Sequence, residues 1–265
     1  MHPILVHLGK LQVRSYGFML ALSFLLGIWL GSRRAKKAGI DPQKILDLSV
    51  IIILAAVIGS RLLYVLFHLD QYSNPLDMFA LWQGGATFYG GFILAVIASY
   101  WWVQKHKLSF LQIADIMAPS IGLGLVFTRI GCFLSGCCYG KPTTHAWGVV
   151  FPPDSPAGAA AMQLAQEQGV DHVALHPTQL YSSFKGLVIF TLLMLLQPHL
   201  KKRGATFGML CVLYAIGRFT VDFFRYYEPN ARVLGGLSFN QVICIFVFFF
   251  GIFLLMRKER TTATV

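Results

Sequence analysis

The sequence predicts an all-α, polytopic membrane protein of about seven transmembrane helices, forming a single transmembrane helical domain over residues 1–265. Three observations carry that prediction. Hydrophobic residues make up 56% of the 265 residues and charged residues only 12%, with a mean hydropathy of +0.62. A soluble domain of this length carries about 25% charged residues, so this chain has too little polar surface to wet a globule. The apolar residues gather in runs close to the ~20 residues that cross a bilayer core, and the basic residues gather between those runs. The net charge of +11 and isoelectric point near 9.6 therefore read as membrane loops facing the lipid bilayer, and no nucleic acid partner is expected.

Seven runs qualify in order: Tyr16–Leu30, Ile45–Phe67, Phe88–Val103, Ile113–Leu134, Leu180–Leu196, Thr206–Phe224 and Phe239–Met256. Alternate connections hold Arg33, Arg34, Lys36, Lys37 and Lys44, then Lys105 and Lys107, then Lys201, Lys202 and Arg203, and finally Arg257, Lys258 and Arg260. The opposite side holds Lys10, Arg14, Lys141 and Arg232, thirteen basic residues against four. The positive-inside rule then predicts an N-terminus outside the cytoplasm and a cytoplasmic C-terminus for an inner-membrane protein. The N-terminus lacks a basic region followed by an apolar run and a small-residue cleavage site, so no cleaved signal peptide is expected. Residues 136–178 form the longest outer connection. With Pro152, Pro153 and Pro156 followed by a helix-like stretch at Ala159–Gln168, it is long enough to build a lid or small periplasmic head.

Arginine at membrane depth is the sharpest chemical signal. Placing one there costs about 2.5–3.5 kcal/mol on insertion scales, so it faces a cavity or a partner. Arg129 ends the fourth run and Arg218 lies in the sixth, both toward the outer leaflet in this topology. A guanidinium fork matches a phosphate bidentately and keeps its proton, which suits a phospholipid headgroup. The alternative is structural pairing of Arg218 with Asp222, its i+4 neighbour. Arg61 is a further headgroup candidate, whereas Arg225 suits snorkelling to the interface.

Arg129 opens the stretch Arg129-Ile130-Gly131-Cys132-Phe133-Leu134-Ser135-Gly136-Cys137-Cys138-Tyr139-Gly140. Its glycines suit a close backbone turn lining a pocket. The cysteines could act as nucleophiles, ligands or packing. Cys132 and Cys137 would not share a face of a continuous helix, and adjacent Cys137 and Cys138 pair only with strain. His145 is the one further ligand type nearby, so no metal is expected, nor any other cofactor. Five cysteines give no disulfide framework, and Cys211 and Cys244, within apolar runs, read as packing. Trp82–Gly91 forms a glycine-rich entry to the third helix, where Tyr89, Gly90 and Gly91 could meet an anion at a helix N-terminus or serve close helix packing. His176 opens the fifth helix with a ring that titrates near neutral pH, and Tyr16 is by default an interfacial belt residue.

Taken in order, these motifs resemble the prolipoprotein diacylglyceryl transferase family along nearly the whole chain. The resemblance is carried by Ser15–Met19, Gly59-Ser60-Arg61 with Tyr64–Phe67, Trp82–Gly91, Asp115 with Ala118-Pro119, Arg129–Gly140, His176–Tyr181 and Tyr214–Arg225. It implies seven helices with the N-terminus outside. It also implies an enzyme that transfers the diacylglyceryl group of phosphatidylglycerol to the lipobox cysteine thiol in a prolipoprotein signal peptide. A thioether forms, and glycerol phosphate leaves. The positions matching the family's important ones are Tyr16, Arg129, Gly140, Tyr214 and Arg218. The arginines would hold the departing phosphate, and the tyrosines would orient headgroup or thiol.

The chain departs from the family pattern at Tyr89, where histidine is usual, at Cys132, usually asparagine, and at Cys137, usually glutamate. Asp222 stands for a glutamate. A thiol of pKa ~8.5 needs a base at neutral pH, and the candidates are Asp222, His176, Tyr89 and Cys137. Two other readings fit the same residues. One is a paralogue moving a lipid group to another acceptor through Cys132 and Cys137. The other is a non-catalytic lipid-binding or transport protein, although no broken-helix pair marks a transport repeat.

Overall fold

The computed structural model describes residues 3–8, 11–69, 85, 87–227 and 236–257. Trp82, Gln83, Gly84, Ala86, Lys10, Arg232, Lys258 and Arg260, used above, lie outside the described residues. Eight helices appear among the described residues. They are α1 Ser15–Lys37, α2 Pro42–Phe67, α3 Phe88–Lys105, α4 Phe110–Leu134, α5 Pro156–Gln168, α6 Thr178–Leu196, α7 Ala205–Asp222 and α8 Phe239–Met256. Six of them are long and apolar enough to cross a membrane: α1, α2, α4, α6, α7 and α8. The chain is an all-α polytopic membrane protein. Helix α3, which occupies the remaining expected run, is not among the six, and its last two turns carry Tyr100, Trp101, Trp102, Gln104 and Lys105.

One element lies outside that expectation. Ile4–Leu8 (β1) and Leu11–Arg14 (β2) pair antiparallel ahead of α1. Strands of five and four residues are too short to register in a search for apolar runs.

Local chemistry sets the helix ends. Asp41 caps α2, its carboxylate accepting from the Gln43 amide at 2.9 Å, and Pro42 fills the first turn, where a missing N–H costs nothing. Ser155 caps α5 ahead of Pro156, and Gly169 ends it in the left-handed region. Ser238 and Gln241 form a reciprocal capping box at α8.

The chain forms two compact units. Residues 30–113 make one, dominated by α2 against α3. A Cβ at Gly91 would stand 2.7 Å from the Ala56 carbonyl, and Gly59 and Gly90 face one another just as closely. These glycines let two helix backbones touch, the usual means of helix association where lipid supplies no hydrophobic drive.

Residues 1–29 and 114–265 make the other unit. In it, α4 and α6 approach through Gly122 and Gly186, and α7 and α8 through Gly208 and Gly251. Ser23 of α1 donates to the Gly124 carbonyl of α4 at 2.9 Å. Asp115 of α4 accepts from the Gly204 and Phe207 amides at 2.5 and 2.8 Å, so a carboxylate from one helix satisfies the open N-terminal donors of another. The connection at 136–178 builds a small head with its own core. Ala157, Ala161 and Ala165 of α5 pack on Phe151, Val173 and Leu175.

Candidate active site

Helix α4 stops at Leu134, and Gly136 then turns at φ +66°. The reversal brings the Cys137 amide to the Cys132 carbonyl at 3.1 Å. The face argument for a continuous helix therefore does not apply. The sulfurs of buried Cys132 and half-buried Cys137 and Cys138 all lie within 4.8 Å of one another. Cys138 sits at φ +61°, a region that non-glycine residues seldom occupy. Two buried side chains at the start of α6 hold it there: Thr178 donates to the Cys138 carbonyl and Gln179 to the Cys137 carbonyl, both at 2.8 Å. Contact with the Cys132 and Cys137 thiols, aided by Arg225 and Arg129, holds the Cys138 thiol below the ordinary range. Contacts with Cys132 and Cys138, together with burial, push Cys137 above it. Tyr16 stands beside this turn, for a Cβ at Gly131 would lie 3.3 Å from the Tyr16 Cα.

Arg129 is half-buried and makes no side-chain hydrogen bond or ion pair among the described residues. It belongs to a group of cations. Lys185 of α6 lies within the electrostatic field of Arg129, Arg218 and Arg225. The Lys185 stem runs over Gly217, where a Cβ would come within 2.5 Å of its Cδ, and its ammonium sits 4.5 Å from the Tyr214 ring centroid. Tyr214 thereby shelters the cation by its ring face.

Arg218 is buried and paired, as the i+4 alternative anticipated. Its guanidinium lies 2.9 Å from Asp222 Oδ1 and donates to the Tyr227 hydroxyl at 3.0 Å. Tyr227 in turn donates to Asp222 Oδ1 at 2.6 Å, Ser238 donates to Oδ2, and Asn240 donates to the Tyr227 oxygen at 3.0 Å. Burial and the bond to Asp222 push the Tyr227 phenol up. Both Asp222 oxygens are thus engaged, and the carboxylate ties Arg218 to the N-terminus of α8. A cavity of about 140 Å³ borders this network, lined among others by Lys141, Arg225 and Gly236.

Gly140 sits where three segments meet. Its amide donates to the His176 carbonyl at 3.0 Å, and a Cβ there would lie 2.6 Å from both the Phe224 carbonyl and the His176 Cβ. His176 is buried, its Nδ1 3.0 Å from the Tyr181 hydroxyl, its ring against Phe224 and near His145. Burial first, then the nearby His145 and Lys141, push its pKa down.

Seven of the expected site residues, Tyr16, Arg129, Gly140, His176, Tyr214, Arg218 and Asp222, belong to this unit. Arg61, Tyr89, Gly90 and Gly91 belong to the unit of residues 30–113. There Arg61 is buried, donating to the Gly85 carbonyl at 3.1 Å, and Gly90 and Gly91 serve the α2–α3 packing. Tyr89 is partly exposed in the first turn of α3, edge-on to Phe88. Sequence reasoning passed over Lys185 and Tyr227 as site residues. A lysine inside an apolar helix carries the same signal as Arg218; nothing in the spacing marks Tyr227.

The sequence pattern of the prolipoprotein diacylglyceryl transferase family matches residues 3–257. The chain belongs to that family. It is 37% identical over 264 residues to the phosphatidylglycerol–prolipoprotein diacylglyceryl transferase of Nitratidesulfovibrio vulgaris, covering 97% of this chain and 94% of the relative. The protein of that name in Stenotrophomonas maltophilia is 35% identical over 271 residues, covering 97% and 92%. The one in Xylella fastidiosa is 35% identical over 280 residues, covering 98% and 93%.

Proposed function

We propose that this chain transfers the diacylglyceryl group of phosphatidylglycerol to the lipobox cysteine thiol of prolipoproteins. A carbon–sulfur bond forms, the bond from that carbon to the phosphate oxygen breaks, and glycerol phosphate leaves. The observation that carries the reading is Arg129, a half-buried guanidinium without a protein partner among the described residues, grouped with Lys185, Arg218 and Arg225. Four cations among apolar helices suit an anionic headgroup, and the similarity to the phosphatidylglycerol–prolipoprotein transferases supports phosphatidylglycerol as that lipid.

In this reading Arg129 and Lys185 hold the phosphate as its negative charge grows, a placement that favours the transition state over the bound lipid. Arg218 adds its field from a site fixed by Asp222, which acts by positioning. Tyr16 and Tyr214 orient thiol and headgroup. His176 is neutral near pH 7 and accepts the thiol proton, its Nδ1 already engaged by Tyr181. In the other unit, Gly90 and Gly91 serve the α2–α3 packing and Arg61 donates to the Gly85 carbonyl.

The proposed setting is the bacterial inner membrane, with α3 as the seventh span, the N-terminus and the 136–178 head periplasmic, and the C-terminus cytoplasmic. Thirteen basic residues against four support this orientation. Lys105 over the Trp101 ring at 5.0 Å suits an interfacial end of α3.

The test combines purified protein, phosphatidylglycerol vesicles and a lipobox peptide. A peptide heavier by one diacylglyceryl group, with equal release of glycerol phosphate, is expected. Lipid consumed without peptide product would favour the other-acceptor paralogue. Neither product, where the Nitratidesulfovibrio vulgaris relative turns over, would leave only lipid binding or transport.

A further inference from the structure

Three sulfur atoms from a seven-residue stretch converge beside Arg129. Cys132 comes from the last turn of α4, and Cys137 and Cys138 from the turn that follows, with all three sulfurs within 4.8 Å of one another. Thiolates bound to one zinc at ~2.3 Å in tetrahedral geometry stand about 3.8 Å apart. The observed spread exceeds that figure by at most about 1 Å.

The backbone is already arranged for convergence. The left-handed conformation at Cys138 and the reversal at Gly136 point the chain back on itself, and Thr178 and Gln179 clamp the two carbonyls. One competing use, a Cys137–Cys138 disulfide, is poorly served, because neighbouring cysteines pair only with strain. Thiolate sulfur selects soft cations over magnesium or calcium. Three thiolates around a divalent cation leave one negative charge, and Arg129 and Arg225 both act electrostatically on Cys138. A tetrahedral ion with three protein ligands keeps its fourth position for an incoming group.

We infer that Cys132, Cys137 and Cys138 form a three-thiolate zinc site with one open coordination position. An external thiol that entered the open position would give up its proton on coordination. The site is independent of the proposed lipid transfer, since metal binding is read without turnover.

The full-length protein, reduced with a phosphine, stripped by chelator and kept in detergent, is titrated with cobalt(II) as the zinc probe. One cobalt per chain is expected, with a thiolate-to-cobalt charge-transfer band that zinc abolishes. Cys132→Ser, Cys137→Ser and Cys138→Ser should each weaken binding at least tenfold, and the triple variant should lose the band. Cys211→Ser, in the α7 core, serves as control, and unchanged melting of the apo variants separates ligand loss from misfolding. Adding a small thiol should shift the cobalt d–d bands, reporting the open position.

Three results would overturn the inference. One is a fully reduced protein that gives no charge-transfer band. Another is a band that survives the triple substitution. The third is a disulfide joining Cys132 to Cys137 or Cys138 in protein whose thiols were blocked at cell lysis.

Discussion

Replacing Asp222 with alanine probes a buried carboxylate engaged through both of its oxygens. The carboxylate is 4% exposed, 2.9 Å from the Arg218 guanidinium, and accepts hydroxyl protons from Tyr227 and Ser238. Removing it strands a guanidinium that is itself only 7% exposed. Breaking a buried pair from one side costs about 3–5 kcal/mol, and each orphaned hydroxyl adds on the order of 1 kcal/mol where water does not reach it. The terms overlap, so about 4 kcal/mol is expected, a fall in the melting midpoint on the order of 10 °C for a chain of this length. The control is Arg218→Met with Asp222→Leu, which removes both charges and should recover more than half of the lost stability. Thermal unfolding in detergent, followed by tryptophan fluorescence, measures all three proteins. An Asp222→Ala protein melting within 2 °C of the parent, or a double variant less stable than the single one, would refute the account of Asp222 as the anchor of Arg218.

Arg129→Ala should leave the melting midpoint within a few degrees, since no bond to a described residue is lost, while kcat in the vesicle assay falls by about 10²–10³; an unchanged rate would remove the phosphate role. Lys185→Met should lower kcat by about 10²-fold with the fold intact and KM for phosphatidylglycerol little changed, measured by initial rates across lipid mole fraction. Asp115→Ala uncaps α7 and should lower stability by about 1–2 kcal/mol without changing KM, which denaturant titration reads. His176 has a folded pKa below its unfolded value, so the unfolded chain binds more protons. Its contribution to stability is complete above pH 6.5 and is lost as pH falls from 6.5 toward the folded value. Activity should fall in the same acidic direction as the base is protonated, and His176→Gln should flatten that limb of the pH–rate profile.

The membrane class and most helix positions were legible because apolar run length is dictated by bilayer thickness, and lipid leaves few alternatives to helix. Helix α1 nevertheless runs to Lys37, past the expected end near Leu30, because Arg33–Lys37 continue the helix beyond the apolar stretch. The candidate site was legible where a residue is out of place in lipid, as with Arg129 and Arg218, and the pairing of Arg218 followed from i+4 spacing. What remained hidden depends on folding back. The meeting of Cys132 with Cys137 requires the stop at Leu134, and the union of Tyr227 with Asp222 crosses a helix end that spacing does not describe. Gly140 shows the same limit, for its need to be small comes from Phe224 and His176, segments distant in sequence.

The clasp between Asp115 and the start of α7 carries a temporal consequence. Asp115 precedes its two donors by 89 and 92 residues, so the ribosome delivers the acceptor first. The first amides of a helix have no partner within it, and here a span made earlier receives them. Integration of the last two spans is therefore expected to depend on the fourth helix. A lesion at Asp115 should surface first as poor integration during synthesis, before any defect in the finished protein.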